Sequence, residues 1–422
     1  MYIRTLAINN IRSIKDFRMT FDSPAGWHVL IGDNGAGKST IIRSIALALV
    51  GPEQALGLRA DWDDWLNSQA SEGEIKLEVS NDKKDKQTGR SAQLKNKLVP
   101  NTLTFKRENG FIKFGAKKSN PDPFRFNWGI GGGWFSVAYG PYRRFAGGNQ
   151  EWTKVFYSQP KLGAHLSAFG EDVALTEAID WLVKLNYQVL ENKESGSVIE
   201  YLRSLINSID FLPHRAELET ISSDGVIFRD GNGALISVSQ MSDGYRSILS
   251  LTFELIRQMV RTFGATEVFK YIKKGTMKID LAGVVLIDEV DAHLHPTWQT
   301  RIGHWFIKYF PAIQFIVTSH SPLVCRASEN GTIWKLAAPG SNLGSCEING
   351  LDKEKLVFGN VLDAYGTEYF GKSPVRSEKS NEKLGKLGSL NMLSALGKIT
   401  EDEERERIHL QQILTTDDPV SF

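Results

Sequence analysis

Two cysteines, Cys325 and Cys346, are all that 422 residues carry. Neither a disulfide framework nor a cysteine-built metal knuckle is available, so a reducing cytoplasm is the expected compartment. No apolar run approaches the roughly 20 residues that span a bilayer. The longest lies around residues 284–287 and is sized for a core strand, so no membrane role is expected. The opening segment, MYIRTLAINNIRSIKDF, meets a charge at Arg4 and alternates like a strand, against a secretory leader. A charge excess is missing as well: 50 Lys and Arg face 49 Asp and Glu, leaving +1. Any affinity for nucleic acid or membrane must then be local. Heptads are not sustained anywhere, which excludes a long coiled-coil arm, and no internal repeat is evident. What is present is 41% apolar residues, enough for a substantial core.

Residues 2–9, 17–21 and 27–31 read as strands, followed by a glycine-rich turn and a helix over 39–50 whose Ile41, Ile42, Ile45, Ala46 and Leu49 share one face. Residues 76–125 hold thirteen basic against five acidic residues and read as a surface excursion on short strands. A glycine-rich stretch over 130–150 surrounds one strand at 134–139, and residues 160–210 are helical by pattern. Asp230-Gly231-Asn232-Gly233 marks a hairpin within 225–238. A long helix starts at Ser242, buried strands follow at 283–288 and 312–318, and the chain beyond 350 turns polar and helical.

Gly32-Asp33-Asn34-Gly35-Ala36-Gly37-Lys38-Ser39 has the P-loop spacing and sits between a strand and a helix. Its backbone N–H groups and the helix N-terminus form an anion nest, Lys38 adds a mobile cation for the β and γ phosphates, and the Ser39 hydroxyl suits Mg²⁺. Asn34, Gly35, Ala36, Gly37, Lys38, Ser39 and Thr40 are the expected ATP-binding set. The run Val284-Val285-Leu286-Ile287 ends in Asp288-Glu289, delivering carboxylates to a sheet edge. There Asp288 would hold Mg²⁺ through water and Glu289 would act as general base. Ser242, Asp243 and Gly244 open a helix, and a serine there is by itself an ordinary N-cap.

The order of these segments carries more than each alone. Met241-Ser242-Asp243-Gly244-Tyr245 resembles the signature motif of ABC ATPases, with Met, Asp and Tyr in place of the usual Leu, Gly and Gln. Val290 to Pro296 occupies the D-loop position, with His295 where an Asp is usual, and Ser319-His320-Ser321-Pro322 resembles the switch-histidine loop. The start, Leu6-Ala7-Ile8-Asn9-Asn10-Ile11-Arg12-Ser13, resembles the RecF and SMC branch and places Arg12 near the nucleotide. Ser242-Asp243-Gly244 and Leu294-His295-Pro296 are similar to the compact ATPases of bacterial anti-phage systems, the Septu and OLD types among them. Motif similarity covers residues 1–45 and 225–330.

The resemblance implies an α/β P-loop head of the ABC type, a mixed sheet with flanking helices, split by an α+β insertion and followed by a helical C-terminal region. The implied boundaries are 1–80 with 225–350 for the head, 81–224 for the insertion, and 351–422 for partner or oligomer contacts. It further implies ATP and Mg²⁺ as ligands, hydrolysis to ADP and phosphate with Lys38, Glu289 and His320 as catalytic residues, and a homodimer or higher homo-oligomer. In that dimer Ser242 and Gly244 of one subunit cap the γ-phosphate held by Lys38 of the other. With no HNH or TOPRIM motif in the sequence, a separate effector protein, a nuclease, is the implied partner. The lobe-coupling glutamine is not identified; Gln150 and Gln159 are candidates, and residues 139–144 are the place to look. Two alternatives remain. Nucleic acid could bind the basic, aromatic-bearing residues 76–128, as in a DNA-repair clamp, and His293 and His295 with Asp288, Glu289 and Asp291 could form a transition-metal cluster.

Overall fold

A computed structural model describes the chain outside residues 59–61, 83–84, 86–97, 130–133, 142–158, 171–176, 192–196, 209–210, 213–214, 223–224, 342–343, 361–363, 365–377 and 415–422. The described strands begin with β1 (Tyr2–Ile11), β2 (Ile14–Thr20) and β3 (Gly26–Ile31), and helix α1 (Lys38–Val50) follows. Next come β4 (Glu72–Ser80), β5 (Val99–Glu108), β6 (Phe111–Ala116) and β7 (Ser136–Tyr139), then helices α2 (Glu177–Leu190) and α3 (Ser197–Ile206). Strands β8 (Glu217–Ser222), β9 (Gly225–Arg229) and β10 (Leu235–Ser237) precede the long α4 (Asp243–Phe263). β11 (Gly283–Ile287), α5 (Ile302–Tyr309), β12 (Ile313–Ser319), β13 (Ile333–Lys335) and β14 (Cys346–Glu347) lead to α6 (Gly350–Phe358), α7 (Glu378–Ala395) and α8 (Glu401–Ile413).

Two sheets enclose the first helix. One is antiparallel in the order β2-β1-β4-β5-β6; the other runs β14-β13-β3-β12-β11-β7 and is parallel except for β14. α1 packs on β1, β4 and β5 of the first and on β7, β11 and β12 of the second. That sandwich explains its composition: Ile41, Ile42, Ile45, Leu47, Leu49 and Val50 are all buried, because a helix covered on both sides is apolar all round. Each large aliphatic side chain so buried contributes about 1.5–3 kcal/mol. The helix ends at Gly51, whose φ of 88° favours glycine and whose Cβ would meet the Trp128 ring at 2.6 Å. The Trp128 indole N–H and the Asn101 amide both donate to the Ala48 carbonyl, satisfying the last turn.

The basic stretch 76–125 is not a surface excursion where it is described. β4 and β5 are interior strands, with Ile75, Leu77, Val79, Val99, Leu103 and Phe105 turned into the core and Lys76 and Lys106 turned out. The same pairing cuts across the expected boundary at residue 81. β5 and β6 continue the sheet begun by β1, β2 and β4, and β7 completes the parallel sheet that holds β3. Strand pairing, a non-local interaction, joins what composition separates. By contact density the chain forms two compact units, Met1–Val361 and Leu362–Phe422, the second containing the α7–α8 hairpin.

Candidate nucleotide site

Parallel pairing aligns the strand ends that matter. Ile31 of β3 pairs with Ser319 of β12, Val317 of β12 with Ile287 of β11, and Ile287 with Tyr139 of β7. The residues just past these ends, the P-loop, Asp288 and Glu289, His320 and the loop after Tyr139, therefore share the carboxyl edge of one sheet, where α/β folds bind ligands.

The P-loop turn is built from backbone conformation. Gly35 and Gly37 have φ of 80° and 93°, values that a side chain strains. A Cβ on Gly37 would also lie 3.1 Å from Ile14, and Ser13 is close by, so the β1–β2 turn presses on the start of α1. Leu336 abuts Gly32, Pro339 abuts Gly35, and the Lys335 ammonium lies 4.0 Å from the Asp33 carboxylate. The segment after β13 thus walls the loop and adds a cation that sequence reading did not single out. Lys38 is buried, its Nζ donating to the carbonyls of Gly32 at 2.7 Å and Asp33 at 3.0 Å. Desolvation lowers its pKa, while Asp288, Glu289, Asp291 and Asp33 pull the other way. The acids of the β11 edge are therefore near enough to Lys38 to be felt electrostatically.

Thr318 was not singled out from sequence, yet it organises the acid pair. Its hydroxyl donates to Asp288 Oδ1 at 2.6 Å and accepts from the Glu289 N–H at 2.7 Å. The Asp288 N–H donates to the Tyr139 carbonyl and the Val290 N–H to the Thr318 carbonyl. Glu289 is held in the left-handed region at φ 47°, and His293 at 65°. For residues with a Cβ that conformation costs about 1–3 kcal/mol each, and the Thr318 bonds offset it at Glu289. The only sequence signal was a threonine ending an apolar strand beside the histidine loop.

Arg12 occupies the β1–β2 turn with φ 51°. The turn lies against the P-loop, but the guanidinium pairs with Asp64 and stacks 4.9 Å from the Trp65 ring. Its backbone is tied down through Trp65 and Asn67. His320 is exposed just past β12. Ser242 precedes α4 as its N-cap residue, but its hydroxyl makes no capping hydrogen bond and is exposed. The capping explanation for this serine therefore has no geometric support. Gly244 approaches the D-loop of its own chain, since a Cβ there would lie 3.0 Å from the His293 carbonyl. Further along α4, Glu254 is buried and accepts from Arg257 and Gln258. This cluster lies beside the buried Tyr139 hydroxyl, whose pKa is raised well above its ordinary value by desolvation first and by Glu254 second.

The remaining candidates separate. Among the described residues no three of His, Cys, Asp or Glu could hold a metal ion together, so the transition-metal cluster is not formed; His295 instead caps the short helix Pro296–Gln299. Gln159 lies against Gly57, and Gln150 falls outside the described residues, as do residues 142–144. Of the aromatics in the basic stretch, Phe105 and Trp128 are core, Phe114 and Phe126 pack on it, and only Phe111 and Phe124 are exposed. A base-stacking platform needs more. No single helix among the described residues is long and apolar enough to cross a membrane.

Comparison with known proteins bears on the family that the chain resembles. The family described as "AAA domain, putative AbiEii toxin, Type IV TA system" matches residues 168–326, and that described as "AAA domain" matches residues 5–122. A Septu protein PtuA of Bacillus mycoides (strain KBAB4) is 27% identical over 344 residues, covering 79% of this chain and 40% of that protein. A Retron Ec83 probable ATPase of Escherichia coli is 36% identical over 126 residues, covering 30% of this chain and 22% of that protein. The chain thus spans well under half the length of these relatives. A solved SMC head bound to the C-winged helix domain of ScpA covers 84% of this chain and 99% of its own, with 16% identity and a TM-score of 0.47. The parallel sheet, the P-loop at the end of β3 and the acid pair at the end of β11 give the chain the arrangement of an α/β P-loop ATPase, which resembles the ABC type. Within that class the chain resembles the ATPases of anti-phage defence systems.

Proposed function

We propose that this chain binds ATP with Mg²⁺ at the carboxyl edge of its parallel sheet and hydrolyses it as two heads closed face to face. We further propose that it serves anti-phage defence by restraining a separate effector, a nuclease. The observation that carries the catalytic reading is the acid pair locked by Thr318, with Asp288 buried and Glu289 half-buried in reach of the Lys38 charge. The donors suit Mg²⁺, a hard cation that takes oxygen ligands: the Ser39 hydroxyl and the Asp288 carboxylate. When bound, the ion neutralises charge on the phosphates. Lys38 adds a second positive charge, and the N–H groups at the start of α1 supply the anion nest. Glu289 takes the proton of the attacking water. His320, exposed at the same edge, contacts the terminal phosphate. Ser242, its hydroxyl uncapped and exposed, and Gly244 meet the phosphate bound by the partner head. The relatives' names, Septu protein and retron ATPase, support the defence role.

A Glu289→Gln variant tests this. It should bind ATP, accumulate closed dimers by light scattering, and release almost no phosphate. Phosphate release at the unmodified rate would remove Glu289 from the general-base role, and salt-sensitive duplex binding by the chain alone would favour a DNA clamp instead.

A further inference from the structure

We infer that the cleft at the amino end of β7 is a second anion site, built for a small phosphate monoester and separate from the nucleotide edge. The cleft has a volume of about 200 Å³. One wall is Trp134 and Phe135, just before β7; a second is Lys161, in the helical turn Pro160–Gly163; a third is Arg261 and Thr262, near the end of α4. Ser136, which opens β7, pairs with Val284, whereas Tyr139, which ends it, pairs with Ile287 beside the acid pair. At about 3.3 Å per residue the cleft lies about 10 Å along the strand from that acid edge. The inference therefore uses no residue of the ATPase reading.

Charge decides what the cleft takes. Lys161 and Arg261 both line it, and no Asp or Glu is among the described residues that do. Lys161 is half-buried; its Nζ donates to the carbonyls of Asn127 and Gly129, each at 2.7 Å, and stands 5.0 Å from the Trp134 ring. An ammonium has three N–H donors, so one is left for a ligand. Desolvation lowers the pKa of this lysine to about 8, a cost that a nearby anion offsets. The neutral groups of the walls are already committed. His165 is buried with Nδ1 against the Lys161 carbonyl, which only accepts, so Nδ1 donates and Nε2 accepts from the Ser136 hydroxyl. The Thr262 hydroxyl donates to the Gln258 carbonyl. Trp134 differs, for its indole N–H is buried and has no acceptor. Two cations suit a ligand with two negative charges, which a phosphate monoester approaches at neutral pH. The Trp134 and Phe135 rings add an apolar wall for a flat substituent. The volume falls below the roughly 300–1,000 Å³ of pockets for drug-sized ligands, which limits that substituent to one small ring.

The test is calorimetry with phenyl phosphate on the full chain carrying Lys38→Ala, which removes the P-loop cation. Phenyl phosphate should bind, and inorganic phosphate should bind more weakly because it leaves the rings uncovered. Adding Thr262→Glu, which sets a carboxylate in the wall, or Arg261→Gln at its exposed position should weaken binding at least roughly tenfold, the loss expected for one charge-assisted contact. Thr262→Glu alone should still bind ATP, so failure at this cleft is distinct from failure at the nucleotide edge. A second measurement needs no variant: in the unmodified chain, phenyl phosphate should slow acetylation of Lys161 by acetic anhydride, read by peptide mass spectrometry. No binding of phenyl phosphate by the Lys38→Ala chain, equal affinity for inorganic phosphate, undiminished binding in both cleft variants, or an unchanged acetylation rate at Lys161 would each overturn the proposal.

Discussion

Replacing Thr318 by Val keeps the shape of the side chain and removes one hydroxyl. That hydroxyl donates to the buried Asp288 carboxylate and accepts from the Glu289 N–H, so its loss weakens the hold on two adjacent backbone positions, one at positive φ. A bond to a charged acceptor is worth about 1.5–3 kcal/mol and a buried donor left unmade costs about 1–3 kcal/mol, so the variant should lose about 2.5–6 kcal/mol. A urea titration reads this as a lower midpoint at unchanged slope. Because the acids then lose their fixed orientation, ATP turnover should fall roughly 10- to 100-fold, as for other residues that position a metal-site carboxylate. ATP affinity, set by the P-loop and Lys38, should change little, and Thr318→Ser should restore turnover. A Val variant within about 0.5 kcal/mol of the parent, the scatter of inert surface changes, and with unaltered turnover would refute the role given to this threonine.

Gly37→Ala forces a Cβ onto φ 93° and against Ile14. It should abolish nucleotide-dependent stabilisation in a thermal melt; an undiminished melting shift with ATP would show that the loop is not the phosphate site. A pH titration of stability reads the buried histidines. His28 hydrogen-bonds the Pro24 carbonyl and Thr332, His165 the Lys161 carbonyl and Ser136, each satisfied as a neutral ring. Burial lowers both pKa values from 6.5 to about 4, so between those limits the unfolded chain binds more protons than the folded one. Stability is therefore complete above about pH 6.5 and falls as the pH drops toward 4, by about 3 kcal/mol per histidine. Denaturation midpoints that stay flat from pH 7 to pH 4.5 would contradict this.

What could be read from the sequence was chemistry confined to a few consecutive residues. The P-loop announces itself because a phosphate nest demands glycines at positive φ, met here at Gly35 and Gly37. β11 and β12 are legible because strands buried on both faces are continuously apolar. What stayed hidden depends on distant pairing. Lys76 and Lys106 made β4 and β5 resemble a solvated excursion, although the alternate residues Ile75, Leu77, Leu103 and Phe105 form core. The bond from Thr318 to Asp288 crosses 30 positions, and that from Arg12 to Asp64 crosses 52, so no local pattern announces either. Ser242 was ambiguous in sequence because serine caps helices; it stands at the N-cap position of α4 without a side-chain cap bond.

The composite site of two heads is tested most directly by mixing two inactive variants. Ser242→Arg keeps its own Lys38 and Glu289, and Glu289→Gln keeps its own Ser242, so a mixed dimer contains one intact site made from both chains. Phosphate release should be near background for each alone and reappear on mixing. A mixture as inactive as its components, or Ser242→Arg turning over ATP at the unmodified rate by itself, would contradict a site shared between two copies.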